Sequence, residues 1–550
     1  MRKFLLAAAG AALFAAQASA IRPVPPPPAP KAPPKLLVVI AIDQMSADLF
    51  DEYRPQFTAG FERLASGTVL RNGYQSHATT DTCAGHSTML TGDRPARTGI
   101  VANAWLDPTA ARADKTIQCA EDESAPKHAV SARHLLVPTL GELMKRQWPA
   151  SRTVAVSGKD RAAVMMSGQR PDQRWYWTGK RFETDLSSAP VPTVVPKVNA
   201  AAAAGLAQAR PPLDPTPFCA AKATPYTVAP GKSVGRGRLG RAAGDDGAFE
   251  ASPEFDGDTL ALAAGLVDEL RLGRGPSPDL LAISLSATDH VGHAFGTEGE
   301  EMCLQLTELD RELGDFFRVL DARGIDYAVA LTADHGGKDI PERERQRVAG
   351  AVRVSAALRA ETIGTRLANA LGVPGKGLFG GANGDIYVDR SLPAATQRKL
   401  IDQGAAAFRA DPQVEAVFTA AQIEATPLPT TPPDRWSLIE RVRAGYVPGR
   451  SGDFYVILKK DVTPITDPGK GSVATHGSPW DYDRRVPIIF WRPGIPGSTI
   501  QQPAETVDIM PTLAATVALP VAVGSVDGRC LPQAAPCASY AASPSDPGQR

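Results

Sequence analysis

One short stretch of the sequence concentrates hydroxyl side chains among small residues. It runs from residue 76 to residue 92, and Thr82 lies in its first half. The segment after Gly85 is expected to begin a helix, whose backbone N–H groups could face an anion. This composition predicts a site for a phosphate group, and we interpret Thr82 as a nucleophile bound to a metal ion.

Aspartate and histidine side chains recur where predicted strands end or begin. The candidate metal ligands of this kind are Asp43, Asp289, His293, Asp334, His335 and His476. Zn²⁺ accepts carboxylate oxygens and imidazole nitrogens, and six such ligands with a threonine oxygen suit two ions rather than one. A single histidine at a strand end is more often structural, but three of them, each near an aspartate, favour a two-metal centre.

Two other histidines are not counted among the ligands. His290 follows Asp289 and is expected to point to the opposite face of an extended segment. His86, four residues after Thr82, could lie behind the ligands.

Lys159 and Arg161 follow another predicted strand. At a spacing of two they would point the same way if the chain is extended there. The compact charge of a lysine and the planar fork of an arginine suit a phosphate monoester, which carries two negative charges. Asn103 could donate an amide hydrogen bond to the same oxygens. Taken alone, the basic pair could equally be a solvated loop.

The elements that must position these residues alternate between strand and helix. Continuous apolar runs predict strands buried on both faces of a parallel sheet at residues 36–42, 153–157, 280–286, 327–332 and 486–491. Apolar residues at steps of three and four predict helices over residues 302–320, 260–272 and 507–517. The alternation predicts an α/β fold with a doubly wound, mostly parallel sheet, whose ligands bind beyond the carboxyl ends of the strands.

The ends of the chain differ from its middle. Residues 1–20 have the basic start, apolar run and Ala-Ser-Ala ending of a secretory signal peptide, with cleavage expected near Ala20. Residues 21–35 contain eight prolines and are expected to form a stiff linker. A catalytic domain is expected over residues 36–540, followed by a tail at residues 541–550.

Two parts of that domain are less regular and richer in Pro, Gly and Ala. They lie near residues 105–270 and 340–470, and we interpret them as insertions over the top of the sheet, the first forming most of a cap. Within the second, residues 385–389 and 453–458 are expected to pair as strands.

Composition limits the partners of the protein. Its 59 basic and 59 acidic residues cancel, so no overall field points to nucleic acid or membrane. No stretch after the signal peptide is apolar for long enough to span a bilayer. The expectation is a periplasmic or secreted monomer that acts on small molecules. The acidic stretch from Asp245 to Asp258 could bind a structural Ca²⁺, although it lacks EF-hand spacing.

Six cysteines suit an oxidising compartment. Cys530 with Cys537 is the pairing most to be expected, because the loop between them is short. Cys83, beside the hydroxyl-rich stretch, is expected to be buried or disulfide-bonded rather than a catalytic thiol.

Several motifs together make the chain similar to a known family. It resembles the exported two-zinc alkaline phosphatases that use a threonine nucleophile, in the type I phosphodiesterase/nucleotide pyrophosphatase-like branch of the alkaline phosphatase superfamily. The matching motifs are Ala41-Ile42-Asp43-Gln44-Met45, Thr82 through Gly92, Asn103, Ser157 through Arg161, Asp289 through His293, Asp334-His335-Gly336, and Thr475 through Asp483. The resemblance implies zinc-dependent hydrolysis of phosphate monoesters through a phosphothreonine intermediate, releasing inorganic phosphate.

The resemblance also implies roles for single residues. One zinc ion would be held by Asp289, His293 and His476, and the other by Asp43, Asp334, His335 and the oxygen of Thr82. Asn103, Lys159 and Arg161 match the phosphate-binding residues of the family, with the lysine where other alkaline phosphatases place a magnesium ion. Thr79 and Thr80 are rival nucleophiles by chemistry, but only Thr82 is in register with the motif. Asp81 is an acidic residue that the resemblance leaves unexplained.

Three other activities are known on the same fold. A nucleotide phosphodiesterase or pyrophosphatase is the main alternative, but Lys159 and Arg161 argue against it because a diester has one charge fewer to neutralise. A sulfatase would need Cys/Ser-x-Pro-x-Arg, which the segment from Cys83 to Ser87 does not match. The signal peptide argues against a cytosolic phosphomutase. A metal-binding protein without catalysis is a further alternative.

Overall fold

The computed structural model describes residues 32–107, 110, 112–125 and 129–537. The expected signal peptide, most of the proline-rich linker and the expected tail lie outside these residues. From Pro34 onward the described chain forms one compact unit. None of its helices is both long and apolar enough to cross a membrane.

The strands follow the alternation that the sequence predicts. In chain order they are β1 (Leu36–Ile42), β2 (Thr68–Tyr74), β3 (Ala104–Leu106), β4 (Thr116–Gln118), β5 (Thr153–Ser157), β6 (Gln173–Trp177), β7 (Phe182–Glu183), β8 (Tyr226–Ala229), β9 (Lys232–Val234), β10 (Asp279–Leu285), β11 (Tyr327–Thr332), β12 (Val352–Arg353), β13 (Leu378–Gly380), β14 (Asp385–Val388), β15 (Val414–Thr419), β16 (Phe454–Leu458), β17 (Val462–Thr463), β18 (Arg485–Trp491), β19 (Thr499–Ile500) and β20 (Ala504–Glu505). The predicted bounds are confirmed for β1, β5 and β11, and they differ by one residue for β10 and β18.

The helices alternate with these strands. They are α1 (Ala47–Tyr53), α2 (Gly60–Ala65), α3 (Thr82–Thr91), α4 (Pro95–Thr98), α5 (Leu140–Gln147), α6 (Asp160–Ser167), α7 (Val194–Leu206), α8 (Pro217–Ala220), α9 (Asp246–Glu250), α10 (Pro253–Glu269), α11 (Ala287–Phe295), α12 (Glu300–Ala322), α13 (Pro341–Glu344), α14 (Ala360–Ala370), α15 (Ala394–Arg409), α16 (Ala420–Ala425), α17 (Leu438–Arg443), α18 (Asp481–Arg484) and α19 (Ile509–Thr516). The three helices predicted from apolar spacing correspond to α12, α10 and α19.

The central sheet has the strand order β19-β2-β18-β11-β1-β10-β5-β6-β7, with β20 paired to β2. The strands from β11 to β6 in this order are parallel. Strand β18 was expected to be parallel as well, but it runs antiparallel to both β11 and β2. Its amino end therefore lies at the same edge as the carboxyl ends of β1, β10 and β11.

Two hydrophobic layers enclose this sheet. All seven residues of β1 are fully buried, and its alternate side chains pack to opposite faces. Apolar residues of α10 and α12 cover one face, and those of α3, α5 and α19 cover the other. Fully burying a Leu, Ile or Val side chain contributes about 1.5–3 kcal/mol. Helices on both faces give the doubly wound α/β fold that the alternation predicts.

The segment 105–270 does not lie mainly over the top of the sheet. It supplies β5, β6 and β7 to the central sheet and α10 to one helical layer. Strand β6 lacks the continuous apolar run of the other inner strands, but Trp175 and Trp177 bury their rings in the core on the α10 side. Residues 340–470 contain a second sheet of order β13-β14-β16-β15, in which β14 and β16 pair as predicted.

All six cysteines form disulfides. The pairs are Cys83–Cys119, Cys219–Cys303 and Cys530–Cys537. The expectations for Cys83 and for the C-terminal pair are therefore confirmed. No cysteine thiol is left free for catalysis.

Candidate active site

One edge of the central sheet gathers the six aspartate and histidine residues named from the sequence. Asp43 directly follows β1, and Asp334 and His335 follow β11. Asp289 and His293 lie one helical turn apart on α11, which begins just after β10. His476 lies in the loop that leads into α18 and β18. Because β18 is antiparallel, this loop arrives at the edge where the parallel strands end.

The first group of potential ligands contains Asp289, His293 and His476. Asp289 Oδ1 lies 3.3 Å from His293 Nε2 and 3.4 Å from His476 Nε2. One donor atom from each residue lies within 4.8 Å of the others. Ligand atoms of one tetrahedral zinc ion are roughly 3.3 Å apart, given bond lengths of about 2.0–2.2 Å. The spacing of this group therefore fits one ion.

The second group contains Asp43, Asp334 and His335. His335 Nε2 lies 3.4 Å from Asp43 Oδ1 and 3.3 Å from Asp334 Oδ2. All three side chains are fully buried. Asp43 Oδ1 and His335 Nε2 have no hydrogen-bond partner among the described residues, which is costly for buried polar atoms. A cation bound between them would remove this cost, so this group also fits one ion.

Each histidine of the two groups is oriented through its other ring nitrogen. Nδ1 lies 2.9 Å from the carbonyl oxygen of Ala474 for His293, of Gly336 for His335 and of Thr80 for His476. A proton on Nδ1 that is donated to a carbonyl leaves the Nε2 lone pair directed at the carboxylates. Metal-ligating histidines are commonly held in this way.

The carboxylates create a strongly negative, buried environment. Burial lowers the pKa of His335 to about 3, so its imidazole is neutral. Burial also opposes the charged form of His476, but the Asp289 carboxylate outweighs this effect and raises the pKa of His476 to about 10. The attraction that draws a proton to His476 is equally available to a metal cation. Once a cation takes the place of that proton, neutral imidazoles beside carboxylates form a suitable donor set for Zn²⁺.

Lys159 bridges the two groups. Its Nζ donates to Asp43 Oδ2 at 2.6 Å and to Asp289 Oδ2 at 2.5 Å. Burial lowers the pKa of this ammonium, but Asp289 and Asp43 outweigh burial and raise it above its ordinary value. Lys159 is therefore charged. Its position between the groups suits the binding of one phosphate oxygen. Its positive charge also suits a place where a further metal ion would otherwise be needed.

A shared direction for the Lys159 and Arg161 side chains requires an extended chain at both residues, and only Lys159 is extended. Lys159 is the N-cap residue of α6, and Arg161 is the second residue of that helix. The two side chains therefore do not point the same way as residues two apart in a strand would, because a helix turns by about 100° per residue. Arg161 is half-buried, and its Nε has no hydrogen-bond partner among the described residues. A buried guanidinium N–H without a partner is suited to an incoming anion.

Thr82 is the first residue of α3 and is almost fully buried. The helix begins here rather than after Gly85, so the N-terminus of the helix coincides with the predicted nucleophile. The rival hydroxyls are engaged elsewhere, because Thr79 Oγ1 lies 3.1 Å from Tyr455 Oη and Thr80 Oγ1 donates to the Ser478 carbonyl.

Asp81, which the resemblance left unexplained, has two roles in the structure. It is the N-cap residue of α3, and its Oδ1 accepts from the Thr82 N–H at 3.1 Å. The same carboxylate accepts from both the backbone N–H and the side-chain amide of Asn103. Asn103 Oδ1 in turn accepts from the Cys83 N–H at 2.8 Å. Asp81 thus fixes Asn103 beside the start of the helix.

Substituting Asp81 with serine is expected to separate these roles. Serine can still cap α3, so the free energy of unfolding should change by less than about 1 kcal/mol. It cannot hold both donors of Asn103, and kcat/KM for a phosphate monoester should fall by about tenfold. Thermal unfolding and steady-state kinetics measure the two effects. Removing one negative charge would by itself favour an anionic substrate, so a higher kcat/KM would contradict a positioning role for Asp81.

Two further residues support the site, and of these only His86 was considered for such a place from the sequence. His86 Nδ1 lies 2.9 Å from the Thr82 carbonyl and 3.1 Å from Asp334 Oδ2, so it lies behind a potential ligand. Asp483 Oδ2 accepts from the N–H and hydroxyl of Ser478, two residues beyond His476. The N-cap pattern could have revealed Asp81, whereas the contact of His86 with Asp334 joins residues far apart in the chain.

Two expectations are corrected here. His290 lies on α11 rather than in an extended segment, and it belongs to neither group of potential ligands. The acidic stretch proposed for Ca²⁺ does not converge. Asp245 caps α9, Asp246 pairs with Lys180, and Asp256 accepts from the Ala287 N–H and the Gln305 amide. Because each of these carboxylates faces its own protein partner, the described residues form no calcium cage there.

Comparison with known proteins identifies relatives of this chain. The family model for type I phosphodiesterase / nucleotide pyrophosphatase matches residues 37–479. Alkaline phosphatase PhoK of a Sphingomonas species is 50% identical over 511 residues, covering 90% of this chain and 91% of that protein. Alkaline phosphatase PhoD of Zymomonas mobilis is 46% identical over 506 residues, covering 90% and 88%. The crystal structure of wild-type alkaline phosphatase PafA superposes with a TM-score of 0.80 at 25% identity, covering 92% of this chain and 100% of that one.

Proposed function

The chain belongs to the type I phosphodiesterase/nucleotide pyrophosphatase family and is an alkaline phosphatase, and we propose that it hydrolyses phosphate monoesters through a phosphothreonine at Thr82 with two zinc ions as cofactors. The observation that carries this proposal is the pair of three-residue ligand groups bridged by Lys159. A single group would support one structural ion, whereas two groups joined by a charged lysine support a site for a phosphoryl group.

The donor set favours zinc over harder ions. Asp289, His293 and His476 would hold one ion, and Asp43, Asp334, His335 and the Thr82 oxygen the other. Imidazole nitrogen with carboxylate oxygen suits Zn²⁺, whereas Ca²⁺ and Mg²⁺ prefer oxygen ligands alone. When bound, the ions supply Lewis acidity that lowers the pKa of the Thr82 hydroxyl and stabilises charge on the phosphoryl and leaving-group oxygens.

The covalent step belongs to Thr82. Thr82 gives up its hydroxyl proton to solvent, and its Oγ1 forms a bond to phosphorus while the bond from phosphorus to the ester oxygen breaks. The released alkoxide takes a proton from water. A water molecule then attacks the phosphothreonine, which frees inorganic phosphate and restores the hydroxyl. The place of Thr82 at the start of α3 supports this step, because the positive end of the helix dipole favours negative charge there.

Charge balance supports monoesters as the substrate class. Lys159 and Arg161 add two positive charges beside the ligand groups, and the Asn103 amide adds a neutral donor. A monoester dianion has three unesterified oxygens for these groups, whereas a diester has two oxygens and one charge. Held in place before the reaction, such donors stabilise the transition state without reorganising.

Location and assembly complete the proposal. We place the enzyme in the periplasm or outside the cell, which agrees with the predicted signal peptide and with three disulfides in the mature chain. We propose a monomer acting on small phosphorylated molecules, because each ligand group is completed within one chain.

Removal of metal tests the proposal. Treating the purified protein with a chelator is expected to lower turnover of 4-nitrophenyl phosphate by about 10³-fold or more, and added Zn²⁺ should restore it. Bis(4-nitrophenyl) phosphate, measured in parallel, should be the poorer substrate before and after zinc is restored. A preference for the diester would support a phosphodiesterase instead. Zinc binding without turnover of either ester would support a non-catalytic metal-binding protein.

A further inference from the structure

A single uncharged residue, Gln44, contacts both ligand groups. It directly follows Asp43 and is 1% exposed. Its backbone N–H donates to Asp334 Oδ1 at 3.2 Å, and its side-chain Nε2 donates to Asp289 Oδ1 at 2.9 Å. Asp334 and Asp289 belong to different ligand groups, so Gln44 joins the two through one residue.

The backbone of Gln44 is in an unfavourable conformation. Its φ is 68°, in the left-handed region that glycine adopts readily and glutamine rarely does. The Met45 N–H donates to the Ile42 carbonyl, so Gln44 occupies the third position of a tight turn after β1. A turn with positive φ at this position normally takes glycine or asparagine. A strained backbone conformation in a turn beside a reactive site indicates that the side chain of the strained residue has a function there.

Two glycines make room for this side chain. A Cβ atom at Gly292 would lie 1.5 Å from Gln44 Oε1, and one at Gly337 would lie 2.9 Å from Gln44 Cδ. Gly292 is inside α11, between Asp289 and His293, where glycine is a poor helix former. The side-chain amide of Gln44 occupies the space that a side chain at position 292 would need, which explains the glycine there.

The contact determines how the Asp289 carboxylate is oriented. Its Oδ2 accepts from Lys159 and its Oδ1 accepts from Gln44. Oδ1 is also the oxygen that faces the Nε2 atoms of His293 and His476. A neutral amide can hold this oxygen without cancelling the negative charge that attracts a cation, which a second lysine would do.

We infer that Gln44 is a positioning residue that orients Asp289 for the ion held with His293 and His476, while its backbone N–H supports the neighbouring group. The inference rests on the proposed two-metal centre. It extends that proposal to a residue outside both groups of potential ligands. Residues that orient metal ligands typically change metal affinity by about 10- to 100-fold when replaced.

Zinc titration of the full-length, metal-free protein against a chromophoric chelator tests the inference. The wild type should bind two equivalents. In Gln44→Gly, one equivalent should bind 10- to 100-fold more weakly, and the other should stay within about threefold because the backbone N–H to Asp334 remains. The visible spectrum of the Co²⁺-loaded protein should lose intensity for one ion only. Unchanged binding of both equivalents, or equal weakening of both, would overturn the inference.

Protein stability separates positioning from a general structural role. Glycine relaxes the positive φ, so the melting temperature of the metal-free Gln44→Gly protein should fall by no more than a few degrees. Gln44→Asn, which tolerates positive φ but is too short to reach Asp289, is a second variant that should weaken the same equivalent. A wild type that binds fewer than two equivalents would instead overturn the metal centre itself.

A double-mutant cycle with Gly292 gives an independent test. In the wild-type background, Gly292→Ala should weaken the same zinc equivalent, because the new methyl group displaces the Gln44 amide. In the Gln44→Gly background it should cause no further loss, and it should raise the melting temperature because alanine favours the helix. Equal losses of zinc affinity in both backgrounds would contradict the inference.

Discussion

Replacing Thr82 with alanine is expected to lower turnover of an aryl phosphate monoester by roughly 10⁴- to 10⁶-fold, which is the loss typical of a removed nucleophile. The covalent route would be closed, while the ligand groups and Lys159 would still bind phosphate. KM should therefore change far less than kcat. Zinc content should be measured alongside, because the Thr82 oxygen is also a proposed ligand.

Matched controls surround Thr82 in the sequence. Thr79→Val and Thr80→Val remove hydroxyls that are engaged with Tyr455 and with the Ser478 carbonyl, so they should retain most of the turnover. Thr82→Ser keeps a hydroxyl and should retain activity well above that of the alanine variant. Acid quenching during turnover of a radiolabelled monoester should trap phosphate on Thr82. A fully active Thr82→Ala, or label on another residue, would show that the nucleophile lies elsewhere.

The paired substitution of Lys159 and Arg161 by methionine should distinguish monoesters from diesters. We expect kcat/KM for the monoester to fall by roughly 10³-fold or more, since loss of one such donor typically costs 10²- to 10³-fold. For the diester the fall should be no more than about tenfold, because its single charge depends less on these cations. The measurement is kcat/KM for matched aryl esters, with zinc content determined for each protein.

Lys338 offers a control of similar burial. It is 5% exposed against 6% for Lys159, and its ammonium pairs with Glu344 rather than with a potential metal ligand. Lys338→Met should therefore affect stability without altering the ratio of monoester to diester activity. Equal losses for the two substrates in the Lys159/Arg161 variant would remove the basis for assigning monoesters as the substrate class.

The potential ligands could be recognised from the sequence because their signals are local. Asp43 and Asp334 each follow a continuous apolar run, and the five runs predicted as strands all lie in the central sheet. Parallel strands end at one edge of a sheet, so residues far apart in the chain can be expected to meet there. His476 lies beside these ligands because β18 is antiparallel and brings its amino end to this edge. The sequence did not show this strand direction.

Local patterns failed where two conformations were equally plausible. Lys159 and Arg161 follow a strand, and nothing in their spacing distinguishes an extended loop from the first turn of α6. The aromatic strand β6 lacks an apolar run, so its place in the central sheet could not be read from periodicity. Asp81 directly precedes α3, but the helix was expected to start after Gly85. Its role as the N-cap residue was therefore not predicted.

The α/β class, the inner strands and the chemical types brought to the site could be predicted from the sequence, since these depend on short-range hydrophobic patterning and side-chain chemistry. The bridge from Lys159 to Asp43 and Asp289, and the contacts of Gln44 with one aspartate from each ligand group, could be seen only in the folded chain. Such contacts join residues more than a hundred positions apart. They depend on strand order and on sub-ångström positioning across the sheet edge, which the packed fold alone establishes.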